Sequence, residues 1–316
     1  MVDYSIFFRR PVSVDRISLE LPMFDVFISA FNSSDRVGKV FSDIQARQKI
    51  WLIHPEYGYS PLEEPTGFPK VVPVGKDEVT QVNALLALVG DTAGKSICLD
   101  ITGMMRHVLM FLVAKLAHVG VKEFTALYSE PVAYAKQEET TFSTTTSGSP
   151  RPVRGMAGST YSLGRDYLVI AVGYDHNLIC EVASHKDSSA VFPVFGFPSL
   201  SPDMYQQSAV RASQSGDVAL ERDWVSNRKF APANDPFSTA AILSEIVQEI
   251  DRKGYPANIY MSPLSTKAQT LGFALYWQLE GRFRDATIML LPECLTYSRE
   301  TSIGMKRLWT YTIELG

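Results

Sequence analysis

The feature that most constrains the fold of this chain is a pattern that occurs twice. Phe24–Asn32 and Tyr167–Asp175 are each an apolar strand that runs into a polar loop, and Ser96–Asp100 and Asn258–Ser262 form a second such pair. The pattern is typical of an internal duplication, or of two α/β layers built alike without common descent. In both cases polar groups lie at the carboxyl ends of parallel strands, where such sheets bind ligands.

Hydrophobic periodicity predicts alternating strands and helices in both halves. In the first half the predicted strands are 25–29, 49–54, 96–99 and 123–128, with helices at 77–89 and 104–119. In the second half the strands are 167–172, 190–195, 258–261 and 286–291, with helices at 238–253 and 266–279. This alternation favours parallel pairing with right-handed crossovers. The predicted fold is α/β, with two tandem Rossmann-like units, mainly parallel sheets and short terminal β-strands.

The predicted domains are a first Rossmann-like unit at residues 1–135, a linker or crossing segment at 136–165, and a second unit at 166–316. The middle segment is rich in Thr, Ser, Gly and Arg, a composition typical of loops. Residues 12–21 and 309–315 alternate in polarity, which predicts two half-exposed strands. These strands are expected to extend a sheet edge, either by pairing with each other or by binding a partner.

Composition indicates a soluble protein without a disulfide framework. The chain is 46% hydrophobic and 20% charged, as is ordinary for globular proteins, and no apolar run reaches the roughly 18–20 residues of a membrane span. The basic pair at residues 9–10 follows a short apolar run, the reverse of a secretory signal. Cys98, Cys180 and Cys294 lack Cys-x-x-Cys spacing, which favours reduced thiols in a cytoplasmic protein and no metal site or cofactor.

The formal net charge is −4 and the pI about 5.8. An acidic chain offers no global attraction to a polyanion, so bulk nucleic-acid binding is not expected. A local basic pocket for a small anionic ligand remains compatible with this balance.

The sharpest motif is Asp100-Ile-Thr102-Gly-Met-Met-Arg106, between a predicted strand and the helix that follows it. An acceptor, a hydroxyl and a guanidinium at a helix N-terminus suit the recognition of phosphate or ribose. The structural alternative is that Asp100 and Thr102 cap the helix, while Arg106 is a solvated surface residue.

This motif, an acidic residue followed by a hydroxyl residue and then a basic one, resembles the pattern of CARF domains, the Rossmann-like sensors of cyclic oligoadenylates in CRISPR-associated defence. The resemblance covers residues 24–131 and includes a second polar loop with Asn32, Ser33 and Ser34. It implies a nucleotide-binding sensor or signal-degrading protein of an antiviral system. It also implies a protein effector partner or a homodimer, and leaves open ring-nuclease-like phosphodiester cleavage by unidentified catalytic residues.

The corresponding loop of the second half contains Ser262, Ser265, Thr266 and Lys267. It departs from the pattern because a serine replaces the acidic residue and the lysine comes one position early. If the halves share ancestry, Arg106 and Lys267 are expected to face a common cleft that holds a cyclic or a linear nucleotide between the two units.

Asp175, His176 and Asn177 follow the first strand of the second half, at the position of Asn32–Ser34 in the first. An Asp beside a His can support acid–base chemistry near neutral pH. The alternative is that Asp175 caps a helix and His176 is exposed. His54, at the end of another strand, has the same two interpretations.

Two further functions remain open. Residues 24–35 also resemble the opening strand and loop of TIR domains, which implies NAD or nucleoside hydrolysis by a glutamate on a later helix. Glu78 is the one acidic residue well placed in a helix there, and the sequence around it does not match the TIR pattern. The second is a non-catalytic accessory subunit that docks a partner through the aromatic turns at 57–59 and 195–197.

Overall fold

The structure is a computed structural model, and it describes residues 2–134, 143–201, 205–206, 209–210, 226–299 and 302–316. The chain forms two compact units. The N-terminal unit consists of Ile6–Thr144 with Leu295–Gly316, and the C-terminal unit of Thr145–Cys294 with Met1–Ser5.

The secondary structure alternates as the periodicity predicts. The strands are β1 (Arg9–Val12), β2 (Phe24–Ala30), β3 (Ala46–Leu52), β4 (Lys70–Val71), β5 (Ile97–Asp100), β6 (Glu123–Tyr134), β7 (Ser143–Ala157), β8 (Arg165–Val172), β9 (Ala190–Gly196), β10 (Lys229–Ala231), β11 (Ala257–Pro263), β12 (Thr287–Tyr297) and β13 (Ser302–Glu314). The helices are α1 (Ile17–Glu20), α2 (Asp35–Asp43), α3 (Glu78–Val89), α4 (Arg106–His118), α5 (His176–His185), α6 (Pro236–Asp251) and α7 (Lys267–Leu279).

The N-terminal unit contains a seven-stranded sheet in the order β1-β13-β6-β5-β2-β3-β4. The five strands from β6 to β4 are parallel, and β13 and β1 are added antiparallel at one side. Numbered along the chain, the parallel strands have the doubly wound order 3-2-1-4-5. The strand order therefore reverses between β2 and β5.

The C-terminal unit contains a six-stranded sheet in the order β10-β9-β8-β11-β12-β7. The strands from β10 to β12 are parallel. They repeat the order of the first sheet, and here the reversal lies between β8 and β11. The predicted α/β fold with two Rossmann-like units and mainly parallel sheets is confirmed.

Parallel strands covered by helices on both faces are expected to be apolar throughout. Every residue of β5 and of β11 is buried, and so are most residues of α4 and α7. Burial on both faces explains why these segments are continuous apolar runs in the sequence, and why their elements were predictable from it.

The outer strands correct the predicted domain boundaries. β13 lies in the sheet of the N-terminal unit and pairs with β6 over most of its length, so it is neither short nor part of the second unit. Residues 143–157 of the expected linker form β7 of the second sheet. The linker interpretation was wrong there because the threonines of this segment favour strands; residues 135–142 lie outside the described residues.

The two terminal segments do pair with each other, as one of the alternatives predicted: Pro11 lies opposite Trp309 in an antiparallel register. The first strand is shorter than expected. It ends at Val12, and the alternating segment beyond it forms the helix Ile17–Glu20. Ile17 and Leu21 are buried there, so the apolar positions are used at helical spacing.

Candidate functional site

The structure brings the predicted site residues to the two points where strand order reverses. In the N-terminal unit, residues 32–34 follow β2 and residues 101–105 follow β5. In the C-terminal unit, residues 173–175 follow β8 and residues 264–266 follow β11. In doubly wound sheets the crevice at the carboxyl side of such a switch point is the usual ligand site.

The two loops of the N-terminal switch point pack tightly against each other at Gly103. A Cβ at this position would collide with the carbonyl oxygen of Ala30 and lie 2.9 Å from Asn32 Nδ2. Asn32 Oδ1 accepts a hydrogen bond from the Ser34 amide at 3.0 Å, and Tyr57 Oη donates to the Gly103 carbonyl at 3.2 Å. The glycine is therefore required for the close approach of the two loops.

The C-terminal switch point has the same close approach, with the glycine on the other loop. A Cβ at Gly173, after β8, would collide with the Leu264 carbonyl oxygen and lie 3.1 Å from Ser265 Cα. The two units thus share a strand order and also a glycine that allows the two loops of the switch point to approach closely.

Asp100 and Thr102 form a buried hydrogen-bond network that ties β2, β5 and β6 together. Asp100 Oδ2 accepts from Ser29 Oγ at 2.9 Å, and Asp100 Oδ1 accepts from the Thr102 amide at 3.0 Å. Thr102 Oγ1 accepts from the Ser129 amide at 3.1 Å and lies 3.0 Å from Ser129 Oγ. The side chains are 0% and 5% exposed, so both residues stabilise the turn from inside.

Burial raises the pKa of the Asp100 carboxyl, while the hydrogen bonds from Thr102 and Ser29 and the charge of Arg36 act in the opposite direction. The capping alternative for this motif is wrong in detail. The N-cap of α4 is Met105, and its side chain makes no capping hydrogen bond. Asp100 closes its own turn two residues on, as Asp side chains often do.

Arg106, the first residue of α4, is only 9% exposed. It is therefore not the solvated residue of the structural alternative. Arg36 on α2 is equally buried and was missed by the sequence interpretation, although it directly follows the polar loop at 32–35. Arg36 Nε donates to Ser302 Oγ at 3.1 Å, and its Nη1 donates to the Ser129 carbonyl.

The two guanidinium groups influence the same half-buried tyrosine, Tyr134. Burial raises the pKa of Tyr134, and the charges of Arg36 and Arg106 oppose that rise. Glu130, which is 3% exposed, is the neighbouring acidic group and accepts from Trp309 Nε1 at 2.6 Å. Two cations and one carboxylate are thus concentrated beneath the carboxyl edge of β5 and β6, in addition to Asp100.

Residues 295–299 lie against the loops after β2 and β3. Arg299 Nε donates to the Tyr57 carbonyl at 2.7 Å, and its guanidinium lies 4.3 Å from the centroid of the Tyr59 ring. Ser33 Oγ donates to the Arg299 carbonyl at 3.2 Å, and Tyr297 packs edge-on against Tyr57 at 5.6 Å. Ser33 remains exposed beside this segment.

His54 has a structural role. Its Nδ1 lies 2.6 Å from Gln81 Oε1, and its Nε2 accepts from the Met105 amide at 3.1 Å. This buried imidazole therefore fixes the turn that leads into α4, and the acid–base interpretation is not supported by its contacts.

A buried acidic residue lies next to this histidine. Gln81 Nε2 donates to Glu56 Oε1 at 3.1 Å, and His107 Nε2 lies 3.3 Å from the same oxygen. Burial alone would raise the pKa of Glu56, but the hydrogen bond from His107 and the nearby imidazoles of His54 and His107 together hold the pKa below its ordinary value.

In the C-terminal unit the alternative that Asp175 caps a helix is confirmed. Asp175 is 2% exposed and caps α5 by accepting from the Leu178 amide. His176, which that alternative expected to be exposed, is half-buried, and Asn177 is exposed. Thr266 caps α7 in the same way, accepting from the Gln269 amide at 3.2 Å and donating to the Ala233 carbonyl at 2.5 Å.

The remaining candidate residues of this unit differ in burial and in hydrogen bonding. Ser265 and Lys267 are half-buried at the N-terminus of α7. Ser262 is fully buried, and its Oγ has no hydrogen-bond partner within the described part of the chain. The register gives the reason: Ser262 lies opposite Ile170, whereas Asp100 at the matching position lies opposite Ser29.

The aromatic turns differ in accessibility. Tyr57 and Phe195 are buried, at 6% and 1% exposed, so neither can dock a partner directly. Phe197 and Phe230, at 55% and 43%, form an exposed pair whose ring centroids are 6.2 Å apart.

Within the described ranges, no helix has both the length and the apolar character needed to cross a bilayer. The same ranges contain no group of three or more His, Cys, Asp or Glu side chains suited to a metal ion. Cys98 is buried and Cys180 and Cys294 are half-buried, all as free thiols.

The fold and these two switch points define a double Rossmann-like α/β protein. No protein-family profile matches the chain, and no curated protein matches it either.

Proposed function

We propose that this protein binds an anionic nucleotide at the carboxyl edge of its N-terminal sheet, as a sensor or signal-degrading component of an antiviral defence system. The observation that carries the proposal is the position of the predicted loops. Residues 32–34 and 100–106 flank the switch point between β2 and β5, where doubly wound sheets bind nucleotides. A cyclic oligonucleotide is the ligand class that the resemblance to CARF domains favours.

The charge of this region supports an anionic ligand. Arg36 and Arg106 are buried next to the loops, and Asp100 and Glu130 are the carboxylates described near them. Burial raises the pKa of Asp100, so the negative charge of this carboxylate is less favoured than that of an exposed one. Buried guanidinium groups act more strongly on a phosphate than exposed ones, because water screens them less.

The proposal concerns binding. The Asp100 carboxylate and the His54 imidazole both have internal hydrogen-bond partners. A catalytic acid or base must reach the substrate proton, and the contacts of these two groups point inward.

The test is a thermal-shift and calorimetric screen with cyclic and linear oligoadenylates. The wild-type protein is expected to bind at least one of them. Arg106→Met, which keeps apolar volume and removes the charge, is expected to weaken binding at least tenfold. Arg47→Met is the control, because Arg47 lies at the amino end of β3 and pairs with Asp25.

Because Arg106 is buried, its variant is expected to lose some stability, so the urea midpoint is measured alongside binding. Ser33→Trp keeps the buried groups intact and places a bulky ring at the exposed mouth, and it is expected to block the ligand. Absence of binding to every nucleotide, or full binding by both variants, would rule the proposal out.

A non-catalytic accessory subunit is the second candidate, favoured by the exposed aromatic pair Phe197 and Phe230. Exposed neighbouring aromatic side chains are common at the centres of protein interfaces. This function predicts that Phe197→Ser with Phe230→Ser abolishes co-purification of a native partner. Retention of that partner by the double variant would refute it.

A further inference from the structure

A cavity of about 600 Å³ lies in the C-terminal unit, at the sheet edge opposite the switch point. Arg165, Tyr167, Asn258 and Tyr260, which line it, stand at or near the amino ends of β8 and β11. Its size is within the range of small-molecule sites. It is separate from the loops on which the proposed function depends.

The buried side-chain amide of Asn258 forms hydrogen bonds that fix one wall of the cavity. Asn258 is 4% exposed; its Oδ1 accepts from the Tyr161 amide at 2.8 Å, and its Nδ2 donates to the Tyr161 carbonyl at 3.1 Å. Nδ2 also donates to Asp166 Oδ1 at 2.8 Å. The turn at 160–164 and the Asp166 carboxylate are thus positioned before any ligand binds, which lowers the entropy cost of binding.

One cation, Arg165, lines the cavity, and two lysines contact the rings of lining tyrosines. Arg165 lies with its guanidinium 4.4 Å from the Tyr255 ring, and Lys253 lies 4.9 Å from the Tyr167 ring. Lys186 lies 3.5 Å from the Tyr260 ring and 3.7 Å from Asp166 Oδ2. Among the charged groups joined by these contacts, three are cations and one is a carboxylate.

Tyr167, which lines the cavity, is hydrogen-bonded to a second tyrosine just outside the lining. Tyr167 and Tyr255 share a hydrogen bond between their hydroxyls. That bond lowers the pKa of Tyr255, and the hydrogen bond from Arg165 and the charge of Lys253 add to the effect.

The lining itself is mostly polar. Hydroxyls of Ser162, Ser188 and Tyr260, together with the guanidinium of Arg165, offer several donors around one space. A phosphate monoester has three acceptor oxygens and about two negative charges near neutral pH, and a sugar adds hydroxyls that match the remaining lining.

We propose that this cavity binds a small phosphate monoester of a hydroxylated molecule, such as a sugar phosphate or a mononucleotide. Arg165 and Lys186 hold the phosphate, and the hydroxyl groups of the lining hold the sugar. A sugar phosphate and a mononucleotide both contain a phosphorylated sugar, and titration with each of them distinguishes the two.

The test is isothermal titration of the whole chain with ribose 5-phosphate, adenosine 5′-monophosphate, ribose and adenosine. The two phosphorylated probes are expected to bind and the two unphosphorylated ones are not. Tighter binding of the nucleotide than of the sugar phosphate assigns a nucleotide source, and equal binding assigns a sugar-phosphate source. Binding of adenosine as tight as its monophosphate, or no saturable binding of either phosphate ester, overturns the proposal.

The variants Arg165→Gln and Lys186→Met are each expected to weaken binding at least tenfold. Arg165 is exposed, so its replacement leaves the fold intact. Arg154→Gln, an exposed arginine on β7 that does not line the cavity, is the matched control. Unchanged affinity in both cavity variants would contradict the assignment. Arg106→Met separates this site from the proposed function, since it is expected to leave phosphate-ester binding unchanged.

Discussion

Replacing Thr102 with valine tests whether the network behind the switch point stabilises the N-terminal unit. The substitution keeps the shape of the side chain and removes Oγ1, which bonds both the amide and the hydroxyl of Ser129. Two hydrogen bonds are lost, and the buried Ser129 amide loses its acceptor. A lost hydrogen bond costs about 1 kcal/mol and a buried unsatisfied donor about 1–3 kcal/mol, so we expect a loss of about 2–4 kcal/mol.

The assay is urea unfolding followed by tryptophan fluorescence, with hydrogen exchange of the β6 peptide as a local readout. Trp51 and Trp309 both belong to the N-terminal unit. Thr125→Val, at a half-buried position on the same strand, is the control and is expected to change stability by less than about 0.5 kcal/mol. Equal losses in the two variants, or unchanged exchange of β6, would refute the reasoning.

Three further predictions follow from single contacts. Gly103→Ala is expected to destabilise the N-terminal unit by about 1–3 kcal/mol, because the added Cβ clashes with the end of β2. Gly38→Ala, in the open middle of α2, is the control and is expected to be neutral or stabilising. Similar unfolding midpoints for the two variants would contradict this. Glu56→Gln is expected to lower stability at pH 7 more than in acid. The pKa of Glu56 is depressed from its ordinary value of 4.5, so the stabilisation by its carboxylate is fully present above that value and is lost as pH falls through the lower folded-state pKa. A pH-independent difference in urea midpoints would count against it. Ser262→Ala is expected to be neutral or stabilising, because the serine hydroxyl is buried without a hydrogen-bond partner in the described residues. Ser29→Ala loses a hydrogen bond to Asp100 and is expected to lower the free energy of unfolding by about 1 kcal/mol or more. The reverse order of urea midpoints would disprove this prediction.

The central strands were predictable because they are buried on both faces. Residues 25–29 and 96–99 were predicted as strands and belong to β2 and β5 within one residue or two, and the helix predicted at 77–89 is observed at Glu78–Val89. Local composition determines these elements, so their sequence patterns are strong.

The outer strands and the buried network were not predictable in the same way. Besides β1, β13 pairs with β6, which is far away in sequence, and the alternating pattern of β13 does not indicate that pairing. The bond between Ser29 and Asp100 depends on the register of two strands separated by about seventy residues. Such pairings are set by tertiary structure, which propensity does not record.

The position of β13 has a consequence for biosynthesis. This strand completes the sheet that begins with β1, yet it leaves the ribosome after every other described element. The last strand of the C-terminal sheet along the chain is β12, so that sheet can assemble first. Until β13 has been synthesised, one edge of β6 has unpaired backbone hydrogen-bonding groups. Open edges recruit other chains, so a nascent or proteolysed form ending before residue 302 is expected to aggregate, and a gene fragment for residues 1–135 is a poor choice for expressing the first unit alone.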